Sequence, residues 1–273
     1  MTLYTETSGS GPDIVFVHGW ALHGAVWRDV VDALRERFRV TTVDLPGHGR
    51  SAWDDNRFEN IEDLVVSVAS IDIERGHWVG WSLGGMATLK LATTTPRRFD
   101  SLTLIATTPR FVATRDKHDW SCGVHPAALQ VFCDELATDY RGVVNRFLSL
   151  QSQGDEAARE LIRRLRSEVF EHGGPDPAAL AAGLAVLRQT DLRCALSDMD
   201  VPCLLIGGSH DALVSPESVS RSAKLLPSAR VEIIAQASHA PFLSHHDEFV
   251  RLLSGFLSSN QVRQRTLTRV AHV

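Results

Sequence analysis

Cysteine is scarce in this 273-residue chain: there are four, at Cys122, Cys133, Cys194 and Cys203. They form no C-x-x-C pair and no zinc-like spacing. Neither a disulfide framework nor a metal site is expected, and the thiols read as reduced cysteines of a cytoplasmic protein. Positive charge is also short. The 28 Lys and Arg against 33 Asp and Glu leave a net charge of −5, which argues against nucleic-acid binding through bulk charge. No apolar run approaches the length of a membrane span. No basic stretch precedes an apolar run at the N-terminus, so no signal peptide is expected. Internal repeats and low-complexity segments are missing too. What is there, 44% hydrophobic and 22% charged residues, suits one compact α/β unit with room for an inserted subdomain.

One stretch organises the rest: Gly80-Trp81-Ser82-Leu83-Gly84. It reads G-x-S-x-G, the pattern of a nucleophile elbow. His77-Trp78-Val79 before it is apolar and strand-like. Met86 to Ala92 after it is small, apolar and compatible with a helix. A strand turning sharply into a helix strains the residue at the turn, and only small neighbours fit beside it. Gly80 and Gly84 supply the room, and Gly85 lets the helix pack close. The helix N-terminus behind Ser82 offers free N–H groups to an oxyanion. The competing reading is a glycine-rich turn with a chance serine.

Along the chain, strand and helix patterns alternate. Asp13 to Val17 is a short apolar run. Val26 to Arg37 has helical spacing, Arg39 to Val43 is strand-like, and Asn60 can cap a helix with Asp63 in its first turn. Pro96 stops the helix after the elbow, and Leu102 to Ile105 is a strand. Val201 to Ile206 and Arg230 to Ile234 are the last two strands, and Asp247 to Leu257 is a closing amphipathic helix. This predicts a mostly parallel sheet with helices on both faces. From Phe111 to Gln189 the periodicity is helical with no good strand. The expected division is therefore a core of 1–110 and 190–258, a helical cap inserted at 111–189, and a poorly ordered tail at 259–273.

A serine hydroxyl needs a base, and the base needs an orienting carboxylate. In this architecture they follow in the order serine, acid, histidine, on loops at strand ends. Gly207-Gly208-Ser209-His210-Asp211 follows one late strand, and Ala237-Ser238-His239-Ala240 follows the other. Asp211 and His239 are therefore the candidate acid and base. Asp198 and Asp200 precede their strand and lie at its wrong end. Asp44 precedes the serine and is expected to brace its loop. His18 and His48 belong to glycine turns and are expected to order loops; His245 and His246 are expected to face solvent. The oxyanion donors are expected to be the N–H groups of Leu83, next after the nucleophile, and of Trp20, in the loop after the first core strand.

Several segments narrow the reading: His18-Gly19-Trp20 with Val26-Trp27-Arg28, Val43 to Gly47, Gly80 to Gly85, Arg146 to Gln151, and His239 to Phe242 with Ser244-His245. Together they resemble the α/β-hydrolase superfamily to about residue 258. Within it they are similar to the pimeloyl-[acyl-carrier protein] methyl ester esterases of biotin synthesis. The resemblance implies a serine carboxylesterase without cofactor that frees the far carboxylate of a carrier-bound pimeloyl chain. It also implies substrate contacts from Trp20, Ser82, Leu83, His239 and the cap segment Phe147, Leu148, Ser149, Leu150 and Gln151. Arg146, Arg159 and Arg163 match positions that meet the acidic acyl carrier protein, while a further basic position appears here as Gly142. The enzyme is expected to be a cytoplasmic monomer. Two alternatives stay open: an esterase or lactonase of the same fold acting on a free small ester, and a ligand-binding protein that has lost turnover. A dehalogenase would want aspartate in place of Ser82.

Overall fold

The sheet begins with a strand that hydropathy does not reveal. Thr5–Ser8 (β1) is polar and mostly exposed, and it pairs antiparallel along one edge. Such a strand buries little and carries no apolar run. The structure, a computed structural model, describes residues 3–54, 57–115, 119–151, 162–163, 166–167, 169–170 and 174–270.

The other strands are Asp13–Val17 (β2), Arg39–Val43 (β3), Gly76–Trp81 (β4), Phe99–Ile105 (β5), Cys203–Gly208 (β6) and Ala229–Ile234 (β7). They form one seven-stranded sheet in the order β1-β3-β2-β4-β5-β6-β7. Every pairing except β1 with β3 is parallel. Parallel strands covered on both faces must be apolar throughout, and every residue of β4 and β6 is buried.

Helices cover both faces. Arg28–Leu34 (α1) packs against the closing helix, and Ile61–Ala69 (α2) packs against Leu83–Thr94 (α3), which lies on β4 and β5. The expected helix from Val26 starts with a 3-10 turn at Gly24–Trp27. Asn60 caps α2, its side chain accepting from Asp63 N. α3 ends one residue before the Thr95-Pro96 bond.

Between β5 and β6 lie Pro126–Leu136 (α4), Tyr140–Gln151 (α5) and Pro177–Gln189 (α6). The only β features among the described residues there are isolated bridges of Val112 with Val124 and Thr114 with Trp120. Pro216–Ala223 (α7) lies on β6 and β7, and Pro241–Ser244 (α8) is a single turn. The closing helix, His246–Val270 (α9), continues well past Leu257. Most of the segment expected as a poorly ordered tail therefore continues a helix. His245 and His246 are half-buried rather than solvent-facing.

The strand order creates a crevice. β2 connects to β3 on one side, while β4 lies on its other side, with Val17 opposite Gly80. Connections that leave neighbouring strands in opposite directions open a gap at their carboxyl ends, where ligands bind in open α/β sheets. β2 delivers His18-Gly19-Trp20 to that point, and β4 delivers Ser82.

Candidate active site

Ser82 is the hinge between β4 and α3. Its backbone sits at φ 52°, ψ −115°, a region that a residue with a side chain occupies at a cost of about 1–3 kcal/mol. The turn is possible because α3 lies almost on the strand. A methyl group on Gly80 would stand 2.6 Å from the Gly85 Cα. α3 is buried nearly all round, which fits its lack of a polar face.

Three side chains from three loops meet at this hinge. The His239 Nε2 lies 3.1 Å from the Ser82 Oγ. The His239 Nδ1 lies 2.8 Å from the Asp211 Oδ2. The second carboxylate oxygen of Asp211 accepts from Leu213 N at 2.8 Å and Val214 N at 2.9 Å. Those two amides fix the carboxylate, so Asp211 must take the His239 Nδ1 proton as a hydrogen bond. The Nε2 lone pair then faces the serine hydroxyl. All three residues are at most 5% exposed, so these hydrogen bonds lie in a medium where electrostatic attraction is poorly screened.

The loop carrying His239 is held from below. The Trp81 indole, inside the elbow, donates through Nε1 to the His239 carbonyl at 2.9 Å. Its ring lies 5.0 Å from Phe242, which lies 4.2 Å from Trp27. Nothing in the spacing of the sequence announces this bond; the tryptophan reads there only as a family marker.

Leu83 opens α3, where the first N–H groups have no intrahelical partner. Trp20 stands at the end of β2. Its indole is fully buried and donates to the Leu180 carbonyl of α6 at 2.9 Å. It meets Phe147 of α5 edge-on at 4.8 Å. Gly183 faces both: a methyl group there would stand 2.6 Å from Trp20 Cδ1 and 3.2 Å from Leu83 Cδ2. Leu180 and Gly183 were not legible as site residues, although a glycine inside a helix signals close approach.

Five successive helical residues cannot face one way, and α5 separates the expected substrate segment. Phe147 and Leu148 are buried, Leu150 is half-buried and Ser149 is exposed. The Ser149 hydroxyl donates to Asn145 O and accepts from Arg166. Gln151 closes α5. Arg146 is exposed, paired with Glu135 and stacked 5.1 Å from the Phe132 ring. Arg163 is exposed on a helical stretch, and Arg159 lies outside the described residues. Arg166 donates to Asn145 O of α5 at 3.1 Å.

The remaining polar candidates order loops. Asp198 and Asp200 are exposed and stand ahead of β6. Asp44 accepts from Gly24 N at 2.7 Å and Arg50 N at 2.9 Å. Burial, with the neighbouring His48, pushes His18 down to about 3. Burial likewise pushes His48 and His77 down to about 4. In the unfolded chain each would titrate near about 6.5. Between those values the unfolded state binds protons that the native state does not. Stability therefore falls as pH drops from about 6.5 to about 4, and His18 extends the fall to about 3. For His48 alone the full effect is about 3 kcal/mol. We expect the melting temperature to fall across this window and the slope to shrink in His77→Gln; a melting temperature flat from pH 6.5 to 4 contradicts it.

Among the described residues, no group of three or more His, Cys, Asp or Glu side chains is arranged to hold a metal ion, and no helix is long and apolar enough to cross a membrane. The site is one of hydroxyl, imidazole, carboxylate and backbone amides.

Residues 12–246 match the model of the alpha/beta hydrolase fold family. A pimeloyl-[acyl-carrier protein] methyl ester esterase of Stenotrophomonas maltophilia (strain K279a) is 42% identical over 257 residues, 94% of this chain and 97% of that protein. One from Aeromonas hydrophila subsp. hydrophila is 40% identical over 94% of this chain and 100% of its own. Among solved structures, a bromoperoxidase from Bacillus anthracis superposes with a TM-score of 0.82 at 24% identity, covering 94% of this chain and 95% of that one. The last likeness speaks to fold alone; the first three place the chain more narrowly. It belongs to the α/β hydrolase family and, within it, to the pimeloyl-[acyl-carrier protein] methyl ester esterases.

Proposed function

We propose that this protein is a serine carboxylesterase that hydrolyses the methyl ester of pimeloyl-[acyl-carrier protein], a step of biotin synthesis. One observation carries the reading: the unbroken hydrogen-bonded chain Ser82–His239–Asp211 on a strained elbow. It stands in a chain about 40% identical to esterases of that name.

The chemistry follows from the geometry. His239 Nε2 takes the Ser82 hydroxyl proton as Oγ bonds to the ester carbonyl carbon. The carbonyl oxygen becomes an oxyanion, held by the N–H groups of Leu83 and Trp20. Collapse breaks the bond to the methoxy oxygen, which leaves as methanol with the proton from His239. Water then gives a proton to His239 and its oxygen to the acyl carbon. Ser82 regains its proton, and the chain departs with a free carboxylate. Asp211 keeps His239 in the required tautomer and stabilises its charged form. The apolar surfaces of Trp20, Phe147 and Leu83 suit a methylene chain. Leu148, Ser149, Leu150 and Gln151 complete the cap segment proposed to line the substrate's path. No cofactor is needed.

In this reading the carrier protein docks on the cap through Arg146, Arg159 and Arg163, and the enzyme works as a cytoplasmic monomer. The four free thiols suit a reducing compartment. Opposite charge speeds encounter more than it changes chemistry. Arg159→Glu with Arg163→Glu should therefore lower kcat/KM for the carrier-bound ester about tenfold or more at low salt and leave a small soluble ester unchanged. The wild-type preference for the carrier-bound ester should shrink as salt rises. Equal losses on both substrates would mean that the arginines hold the cap together. No loss on either would remove the docking surface from the account.

A further inference from the structure

We propose that His18 and His48 are positioning residues that aim the Trp20 N–H at the oxyanion by pinning the peptide on either side of Trp20. The proposal rests on the reading of Trp20 N–H as an oxyanion donor.

One peptide plane sets the direction of this donor. The Gly19 carbonyl and the Trp20 N–H belong to the same peptide, which is planar and trans, so they point in opposite directions. Whatever holds the carbonyl aims the N–H. Leu45 N donates to His18 Nε2 at 2.8 Å, so that nitrogen carries no proton. The proton is on Nδ1, which donates to the Gly19 carbonyl at 2.7 Å. One ring thus ties the oxyanion loop to the loop after β3 and sets the plane of the Gly19–Trp20 peptide.

The next peptide is held in the same manner by a second ring. Ala21 N donates to His48 Nε2 at 3.3 Å, and His48 Nδ1 donates to the Pro46 carbonyl at 2.9 Å. Ala21 sits at φ 66°, a left-handed conformation that alanine does not adopt without support. The two rings lie 5.4 Å apart, and Asp44 braces the same pair of loops through Gly24 N and Arg50 N. Both histidines are at most 1% exposed. Burial keeps them neutral well below neutral pH, and each Nε2 can accept only while unprotonated. Neither ring bonds to Ser82, Asp211 or His239, so neither serves as the base.

The two histidines make opposite demands, which gives an atom-specific test. At position 18 the essential atom toward the oxyanion loop is the Nδ1 donor, and an asparagine amide reaches where Nδ1 sits. At position 48 it is the Nε2 acceptor, and a glutamine amide reaches where Nε2 sits. His18→Asn and His48→Gln should keep kcat within about tenfold of wild type on p-nitrophenyl butyrate. His18→Gln and His48→Asn should lose roughly 100- to 1,000-fold in kcat with KM little changed, the scale of a lost oxyanion donor. A merely structural role would give no such crossed pattern. If Asn and Gln at either position are equally active, or equally impaired while folded by circular dichroism, the proposal is overturned for that position.

A second measurement separates this proposal from the reading beneath it. The thiono analogue of the same ester places a weakly accepting sulfur where the oxyanion forms. Wild type should favour the oxygen ester, and His18→Gln should lose most of that preference while His18→Asn keeps it. A wild type without preference would sink the oxyanion hole itself. A preference equally strong in wild type and His18→Gln would leave the hole standing and overturn the role of His18. If His18→Gln fails to fold, His18→Asn still decides: loss of the oxygen preference there contradicts the proposal.

Discussion

Ser82→Ala is expected to lower ester turnover by about 10⁴- to 10⁶-fold, with the fold and melting temperature essentially unchanged. The size follows from what is lost. Among the described residues the Ser82 hydroxyl is the one bonded to His239 Nε2, at 3.1 Å, so no substitute nucleophile stands ready to take over. Alanine keeps the Cβ, so the backbone at φ 52° is neither relieved nor further strained. His239→Ala should cost a similar factor, and the two losses should not multiply in the double variant, because the residues act as one unit. The check is kcat on a chromogenic short-chain ester with purified, folded protein. More than a few per cent residual activity in Ser82→Ala would remove Ser82 from the role of nucleophile.

Asp211→Asn is expected to lower kcat by about 10⁴-fold while leaving stability nearly intact. An asparagine at 211 can still accept from Leu213 N and Val214 N. That orients its NH₂ toward His239 Nδ1, which would then have to accept. The imidazole proton moves to Nε2, and the lone pair that should receive the serine proton is lost. Asp198→Asn and Asp200→Asn should change kcat by less than about twofold, since both are exposed and precede β6. Equal effects at all three positions would mean that the orienting carboxylate lies elsewhere.

The parts of this protein that were legible in its sequence are those that local chemistry dictates. The elbow is legible because strand, glycine turn and helix must follow one another within a few residues. Asp211 and His239 are legible because each falls in the loop past a late strand, and the structure sets His239 within hydrogen-bonding reach of the hinge and Asp211 within reach of His239. β1 was not legible: a polar strand paired on one side leaves no hydropathic trace. The roof of the site was not legible either. The Trp20 indole and the Leu180 carbonyl that receives it are 160 residues apart, and no periodicity links them. The substrate segment of α5 was legible as a stretch but not by face, because successive helical residues turn by about 100°. Phe147 reaches Trp20, whereas Ser149 faces out toward Arg166. His18 and His48 read only as loop-ordering residues. That their ring nitrogens pin the peptides flanking Trp20 emerges only once β2 and β3 lie side by side.

Everything above turns on the proposed removal of a methyl group from a carrier-bound ester through Ser82. The most direct measurement is the intact mass of pimeloyl-[acyl-carrier protein] methyl ester after incubation with the purified protein. The expected result is a loss of one CH₂ unit, as ester becomes acid, with methanol released in equal amount and no change of mass with Ser82→Ala. A carrier whose mass stays constant, under conditions where the same preparation hydrolyses a small free ester, would contradict it.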